Sequence, residues 1–118
     1  MNLTGTIVSG LGEGARYVKR YHFVIKTVLD FEPFPGTLNL RTAGVPAAFL
    51  ENSLTLNAPT GGLFQVSAKP ATINGNIQGA ILRPDKTNHP PEILEVIAPV
   101  NIKQTLGLKD GDQVEVEV

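Results

Sequence analysis

Turn-forming residues recur along the whole chain and limit how long any helix or strand can be. The 118 residues include 12 glycines and 9 prolines, which is roughly 18% of the chain, where average proteins have about 12%. Glycine and proline both disfavour helix interiors, and proline also removes a hydrogen-bond donor from a strand. The sequence therefore predicts many turns, short strands and few long helices.

The composition fits a single globular domain. Hydrophobic residues make up 42% of the chain and the formal net charge is -1. A chain of this length can form a stable core without disulfides or a structural metal. The absence of cysteine excludes disulfides, thiolate metal sites and cysteine nucleophiles. Near-neutral charge argues against broad binding to nucleic acid, and no stretch approaches the ~20 apolar residues of a membrane span. We expect one cytoplasmic domain over residues 1–118 that binds neither nucleic acid nor membranes.

Apolar periodicity predicts one longer helix and one short helix. Between residues 16 and 29 the apolar side chains fall on one helical face, at Tyr17, Tyr21, Val24, Ile25 and Val28. Residues 101–106 are expected to form a short helix with Gly107 at its C-cap.

Short strands are expected over most of the remaining chain. The Asn74-Gly75 pair predicts a hairpin turn, because both turn positions need positive φ. Strands are predicted at 3–8, 36–41, 53–56, 63–68, 71–73, 77–82, 93–98 and 113–118. Since closure removes exposed edges in a domain this short, the pattern favours a small, mainly β closed barrel.

The first strand is followed by the glycines Gly10, Gly12 and Gly14. Their spacing does not match the dinucleotide fingerprint, which argues against a Rossmann fold. The chain also has no P-loop motif, so it does not bind a triphosphate in the way that P-loop proteins do. Closely spaced glycines let backbone N–H groups approach a phosphate or base. They are also ordinary turn formers, so the residues alone leave both interpretations open.

Thr37 and Asn39 are two residues apart in a predicted strand, so their side-chain oxygens share one face. Mg²⁺ accepts neutral oxygen ligands when substrate phosphates supply the negative charge. A solvent-exposed face would show the same alternation. The two histidines, His22 and His89, have no companions at metal-ligand spacing, and we expect both to be solvated.

Four sequence blocks, in order along the chain, carry a family resemblance. They are SGLGEG at 9–14, FEPFPGTLNL at 31–40, GAI at 79–81 with Pro84, Lys86, Thr87 and His89, and EILEVIAP at 92–99. Together they resemble the archaeal CTP-dependent riboflavin kinases over essentially the whole chain.

The resemblance implies a six-stranded cradle-loop β-barrel that is a phosphotransferase. Such enzymes transfer the γ-phosphoryl group of CTP to the ribityl 5′-hydroxyl of riboflavin, giving FMN and CDP. Because the first strand begins near Leu3, we expect a stand-alone catalytic domain without the N-terminal winged-helix domain of some members. We also expect a monomer.

The resemblance also implies residue roles. Mg²⁺ would be held by Thr37 and Asn39, and the flavin would be contacted by Thr87 and Glu95. Glu95 is in addition the expected general base, and a hydrogen bond to the flavin is its other possible role. The nucleotide would be contacted by Gly10, Leu11, Gly12, Glu13, Gly14, Ala15, Asn101, Ile102, Lys103 and Gln104.

Several alternatives remain open. Glu95 also fits an exposed strand carboxylate, and Thr87 a turn hydroxyl. The basic residues Arg16, Lys19 and Arg20 fit either steering of an anionic nucleotide or a solvated helix face.

Two alternative functions belong to other classes of protein. Residues 106–116 resemble the C-terminal half of swapped-hairpin DNA-binding regulators, although the acidic side chains in and beside this segment suit DNA poorly. A flavin- or nucleotide-binding barrel without enzymatic activity is the other alternative. The family resemblance favours the kinase.

Overall fold

The fold of the described residues consists of short strands with two α-helices. The computed structural model describes residues 1–10, 14–59, 64–84 and 91–118. The elements in chain order are β1 (Asn2–Val8), α1 (Gly14–Leu29), β2 (Leu38–Arg41), a 3-10 turn (Ala47–Leu50), β3 (Leu54–Leu56), β4 (Val66–Ile73), β5 (Ile77–Pro84), β6 (Ile93–Ile97), α2 (Ile102–Leu106) and β7 (Gln113–Glu117).

Six of these strands close into an antiparallel barrel. Their order is β4-β5-β6-β2-β1-β7, and β7 returns to β4 through the pairs Thr72–Glu117 and Ile73–Val116. The short β3 lies outside this ring, and its partner among the described strands is β4. The predicted six-stranded closed β-barrel, with one longer and one short helix, is confirmed.

Apolar residues cover both faces of the barrel wall. Alternate residues of β2 and β6 point into the barrel interior, where Leu38, Leu40, Leu94 and Val96 join one buried cluster. A second cluster lies on the outer face, between the wall and α1 with β3. Asn39 and Glu95 alternate with the inward-facing leucines, so they belong to this outer face.

The buried stripe of α1 overlaps the predicted one, because Tyr21 and Ile25 are buried and Tyr17 and Val24 pack partly buried against the same cluster. Its fully buried residues are Val18, Tyr21 and Ile25, whereas Val28 is 37% exposed. The prediction missed Val18 and included Val28, because the barrel wall decides which side of the apolar face is fully covered.

The predicted strands at 63–68 and 71–73 form one strand, β4, which continues through Pro70. Along its other edge, β4 pairs with β3 up to Ala68 and with β7 from Thr72 onward. Pro70 falls between these pairings, where that edge has no partner strand among the described residues. A proline is tolerated at such a position because no ladder bond is lost there.

The predicted hairpin turn and the predicted C-cap of the short helix are confirmed, whereas Asn101, predicted as the first helical residue, is the N-cap of α2. Asn74 and Gly75 have φ of 49° and 67°, as the hairpin requires. Asn101 caps α2 by accepting a hydrogen bond from the Gln104 N–H at 3.1 Å, and Gly107 ends the helix at φ 66°.

Among the helices of the described ranges, none is long and apolar enough to cross a membrane.

Candidate active site

Asn39 is a buried polar residue in the middle of β2. Its side chain is 6% exposed, and its Oδ1 accepts no hydrogen bond from the part of the chain that the structure describes. Leaving a buried oxygen unpaired costs about 1 to 3 kcal/mol, and such atoms call for a specific explanation. A solvent-exposed face is excluded for Asn39, and its amide oxygen is a ligand type that suits Mg²⁺.

The two ends of the glycine-rich segment lie against the candidate metal ligands. A Cβ atom on Gly10 would overlap Asn39 Nδ2, and one on Gly14 would overlap Thr37 Oγ1. Thr37 immediately precedes β2, and Gly14 is the first residue of α1. The structure therefore brings Gly10, Gly14, Thr37 and Asn39 together. The predicted nucleotide contacts Leu11, Gly12 and Glu13 lie outside the described residues.

Glu95 is the direct cross-strand neighbour of Asn39. The two residues are paired in the β2–β6 ladder, so they share a face with their Cβ atoms about 4.5 to 5.5 Å apart. Glu95 is partly buried. The predicted general base is therefore adjacent to a candidate metal ligand. Thr87, the other predicted flavin contact, lies outside the described residues, as does His89.

A cleft of about 190 Å³ connects Thr37 with the start of α2. Its walls include Asn101 and Lys103 as well as the apolar residues Phe34 and Val100. The backbone N–H of Phe34 donates to the Ala98 carbonyl at 2.8 Å, which holds this segment against the chain after β6. Phe34 and Val100 were not predicted as site residues, although Phe34 belongs to one of the four sequence blocks.

The four predicted contacts in segment 101–104 differ in what they can offer a ligand. The Oδ1 atom of Asn101 is occupied as a helix cap. Ile102 is 4% exposed and packs in the barrel interior, so its backbone is the part that can face a ligand. Lys103 lines the cleft, and Gln104 is exposed on the surface of α2.

An additional polar cluster joins this segment to β1. The Asp110 carboxylate accepts a hydrogen bond from Ser9 Oγ at 2.9 Å and contacts Lys103 Nζ at 2.9 Å. The hydrogen bonds from Lys103 and Ser9, with the lysine charge, hold the pKa of Asp110 below its usual range. Sequence reasoning did not predict a role for Ser9 or Asp110 here.

The basic residues of α1 are on its surface. Arg16, Lys19 and Arg20 are exposed. Their exposure fits steering of an anionic nucleotide and a solvated helix face equally well. His22 is about half exposed, and its Nε2 lies 3.2 Å from Glu32 Oε1. Lys26 Nζ is 3.5 Å from the same oxygen, so this cluster ties α1 to the segment that follows it.

Comparison with known proteins places these features in a family. A family model named CTP-dep_RFKase, with the description "Domain of unknown function DUF120", matches residues 7–118. The chain is 45% identical to a riboflavin kinase of Thermococcus kodakarensis and 42% identical to one of Pyrococcus abyssi, and each alignment covers 98% of this chain. It is 42% identical to a riboflavin kinase of Archaeoglobus fulgidus over 100% of its length.

The chain spans less than two thirds of these relatives, covering 58%, 58% and 54% of their respective lengths. The family match nevertheless includes every element from α1 to β7 and all the predicted site residues. The chain therefore belongs to the CTP-dependent riboflavin kinase family.

Proposed function

We propose that this protein transfers the γ-phosphoryl group of CTP to the ribityl 5′-hydroxyl of riboflavin, giving FMN and CDP. The observation that carries the proposal is the buried Oδ1 of Asn39, which has no hydrogen-bond partner among the described residues. The Asn39 side chain packs against Gly10, and the residue is paired with Glu95 across the β2–β6 ladder. Membership of the family supplies the identity of the substrates. The proximity of Asn39, Gly10 and Glu95 supports the proposal that a cation, phosphates and a carboxylate meet here.

Asn39 and Thr37 are the proposed Mg²⁺ ligands. Both offer neutral oxygens, and the Asn39 oxygen is already desolvated, so binding a cation would satisfy it. When bound, Mg²⁺ would act as a Lewis acid that neutralises charge on the triphosphate. Uncharged ligands leave that positive charge available to the nucleotide.

The nucleotide is proposed to lie between the glycine-rich segment and α2. Phosphoryl transfer depends on positioning and on charge stabilisation. Residues 10–15 would contribute backbone donors, and Lys103 would contribute an ammonium group in the cleft. With its Oδ1 occupied, Asn101 would contribute its amide donors. Selection of cytosine would require polar groups matched to that base, because a mismatched base leaves such groups unpaired.

The flavin is proposed to bind on the Glu95 side of the site, with Thr87 as a second contact. The cross-strand position of Glu95 opposite Asn39 lets a carboxylate lie near a hydroxyl that approaches the γ-phosphate. Glu95 would accept the hydroxyl proton or hold the flavin by a hydrogen bond. A loose phosphoryl-transfer transition state is compatible with both roles.

The remaining expectations are part of the same proposal. Residues 1–118 would form the kinase barrel and act as a cytoplasmic monomer whose partners are riboflavin, FMN, CTP and CDP. We propose no nucleic-acid or membrane partner. The exposed carboxylates of Glu115 and Glu117 on β7 support the absence of a nucleic-acid partner, since they would repel DNA phosphates.

The proposal is tested by incubating the purified protein with riboflavin, Mg²⁺ and one of CTP, ATP, GTP or UTP. FMN and riboflavin are then separated by chromatography, and CDP is quantified. CTP is expected to give FMN and CDP in equal amounts. Failure to form FMN with every nucleotide would overturn the proposal. CTP binding without FMN would instead indicate a nucleotide-binding barrel without enzymatic activity.

The metal assignment predicts a large effect at Asn39. Asn39→Ala removes one proposed ligand, so turnover should fall by about 100-fold or more, as expected for loss of charge stabilisation in the transition state. Its melting temperature should change little, because Oδ1 makes no hydrogen bond with described residues. The matched control is Asn76→Ala, at an exposed turn residue, which should retain wild-type activity. Near wild-type turnover of Asn39→Ala would remove Asn39 from the site.

A further inference from the structure

We propose that Asp110 is a positioning residue that couples Ser9 and Gly10, at the end of β1, to α2 in the nucleotide site. This inference rests on the proposed function, because it assigns Asp110 a role in holding two segments proposed to contact CTP. Asp110 itself lies in the turn between α2 and β7. It would act through its neighbours rather than by contacting the reacting atoms.

One carboxylate reaches both segments. Asp110 Oδ2 accepts from Ser9 Oγ at 2.9 Å, and Asp110 Oδ1 accepts from Lys103 Nζ at 2.9 Å. Ser9 immediately precedes Gly10, which packs against Asn39. Lys103 lines the cleft with Thr37. Asp110 therefore links the two sides of the candidate site.

The turn that carries Asp110 is fixed to the end of β1. The Gly111 N–H donates to the Ile7 carbonyl at 2.9 Å, and the Ile7 N–H donates to the Asp112 carbonyl at 2.8 Å. Asp112 also caps the turn by accepting from the Lys109 N–H at 2.9 Å. The Asp110 carboxylate is thus presented from an anchored backbone, which is what precise support of a site requires.

The exposure of this cluster indicates that its role is not mainly structural. The side chains of Lys103 and Asp110 are 44% and 49% exposed, and ion pairs with that degree of exposure contribute little to stability because solvent screens them. Restricting a lysine side chain costs rotamer entropy. An ammonium group held in place before the nucleotide arrives lowers the entropic cost of binding.

The opposite role makes the opposite prediction. If Asp110 merely neutralised Lys103, removing the carboxylate would free the ammonium group and tighten nucleotide binding. If Asp110 positions Lys103 and Ser9, the same change would weaken binding. The sign of the effect on nucleotide affinity therefore separates the two roles.

The test compares Asp110→Asn with Glu115→Gln, a matched loss of one carboxylate at an exposed site on β7. The KM values for CTP and riboflavin are measured by FMN formation, and the Kd of CDP with Mg²⁺ is measured by calorimetry. For Asp110→Asn, the KM for CTP and the Kd of CDP should rise about tenfold, as expected for loss of one charge-assisted contact. The KM for riboflavin and the melting temperature should match those of Glu115→Gln.

Two further variants sharpen the result. Asp110→Glu keeps the carboxylate and should recover part of the lost affinity. In a Lys103→Ala background, Asp110→Asn should have a clearly smaller effect than in the wild type, since the partners act together. Unchanged or tighter CDP binding in Asp110→Asn would overturn the inference, as would an equal rise in the KM for riboflavin. If the wild-type protein bound CDP but formed no FMN, the proposed function would be wrong, and the Kd comparison would still test the role of Asp110. If the wild-type protein bound no CDP, both the proposed function and this inference would be wrong.

Discussion

At the scale of single residues, Gly10 and Gly14 are required by the space that other side chains occupy. The Asn39 side chain occupies the position that a Cβ atom on Gly10 would take, and the Thr37 side chain occupies the position that a Cβ atom on Gly14 would take. Neither glycine has the positive φ seen at Gly44 or Gly75, so backbone conformation does not explain them. Their small size lets the glycine-rich segment approach the candidate metal ligands closely.

This contact predicts that Gly10→Ala impairs activity more than stability. The added methyl group must displace Asn39 Nδ2, which would disturb a proposed metal ligand, whereas Gly10 itself is exposed. Turnover should fall at least about tenfold, the scale on which small misplacements affect catalysis, and the melting temperature should change by only a few degrees. FMN formation and thermal unfolding provide the two measurements.

A glycine away from the site provides the control for Gly10→Ala. Gly44 has φ 138°, and apart from its chain neighbours no described residue lies within 4 Å of the position that a Cβ atom would take. Gly44→Ala should therefore lose about 1 kcal/mol of stability through backbone strain and retain activity. Full activity of Gly10→Ala would show that its contact with Asn39 has no role in the reaction.

The sequence was informative about individual residues where the relevant pattern is local. Alternation predicted a strand that holds both Thr37 and Asn39; Asn39 lies in β2, whereas Thr37 immediately precedes it. The ligand role that the family resemblance implies for both stays a prediction. Burial of Asn39 could not be predicted, because the outer face of β2 is covered by residues from other segments. The bridge between Ser9 and Asp110 was equally inaccessible, since its members are 101 positions apart.

At the scale of elements, the β4–β5 hairpin contributes to closing the barrel. The Asn74 N–H donates to the Glu115 carbonyl at 2.8 Å, and Asn74 Oδ1 accepts from the Glu115 N–H at 2.8 Å. These bonds extend the β4–β7 pairing of Thr72 and Ile73 by one residue. The same asparagine also adopts the positive φ of the hairpin turn.

The two roles of Asn74 can be separated by two substitutions. Asn74→Gly keeps the positive φ but removes the side-chain acceptor, and should cost about 1 kcal/mol of unfolding free energy. Asn74→Ala loses the acceptor and adds about 1 to 2 kcal/mol of left-handed strain. Urea unfolding at equilibrium measures both. If Asn74→Gly were as stable as the wild type, the side-chain bond to Glu115 would not contribute to closure.

Prediction of the elements succeeded where a short stretch of sequence determines them. The Asn74-Gly75 turn and the Gly107 C-cap of α2 depend on residues within a few positions of one another, and each is confirmed. The continuation of β4 through Pro70 depends instead on where its partner strands β3 and β7 end. The buried stripe of α1 depends on the barrel wall. Both are tertiary effects, so sequence periodicity alone could not determine them.

At the scale of the whole molecule, the candidate site draws on elements from both ends of the chain. It combines the end of β1, the start of α1, β2, β6 and α2, and barrel closure sets the distances among them. The site therefore exists only in the folded protein. A ligand that binds there stabilises the folded state by mass action, because the unfolded chain cannot present these groups together.

This argument predicts selective thermal stabilisation by CDP with Mg²⁺. At 100 times its Kd, a ligand contributes about 2.7 kcal/mol, which corresponds to roughly 10 °C in melting temperature for a chain of this length. ADP at the same concentration should shift the transition by less than about 2 °C if polar groups select cytosine. In Asn39→Ala, adding Mg²⁺ should give little increment beyond that of CDP alone. Equal shifts with CDP and ADP would contradict selection of cytosine, and a full Mg²⁺ increment in Asn39→Ala would contradict the assignment of Asn39 as a metal ligand.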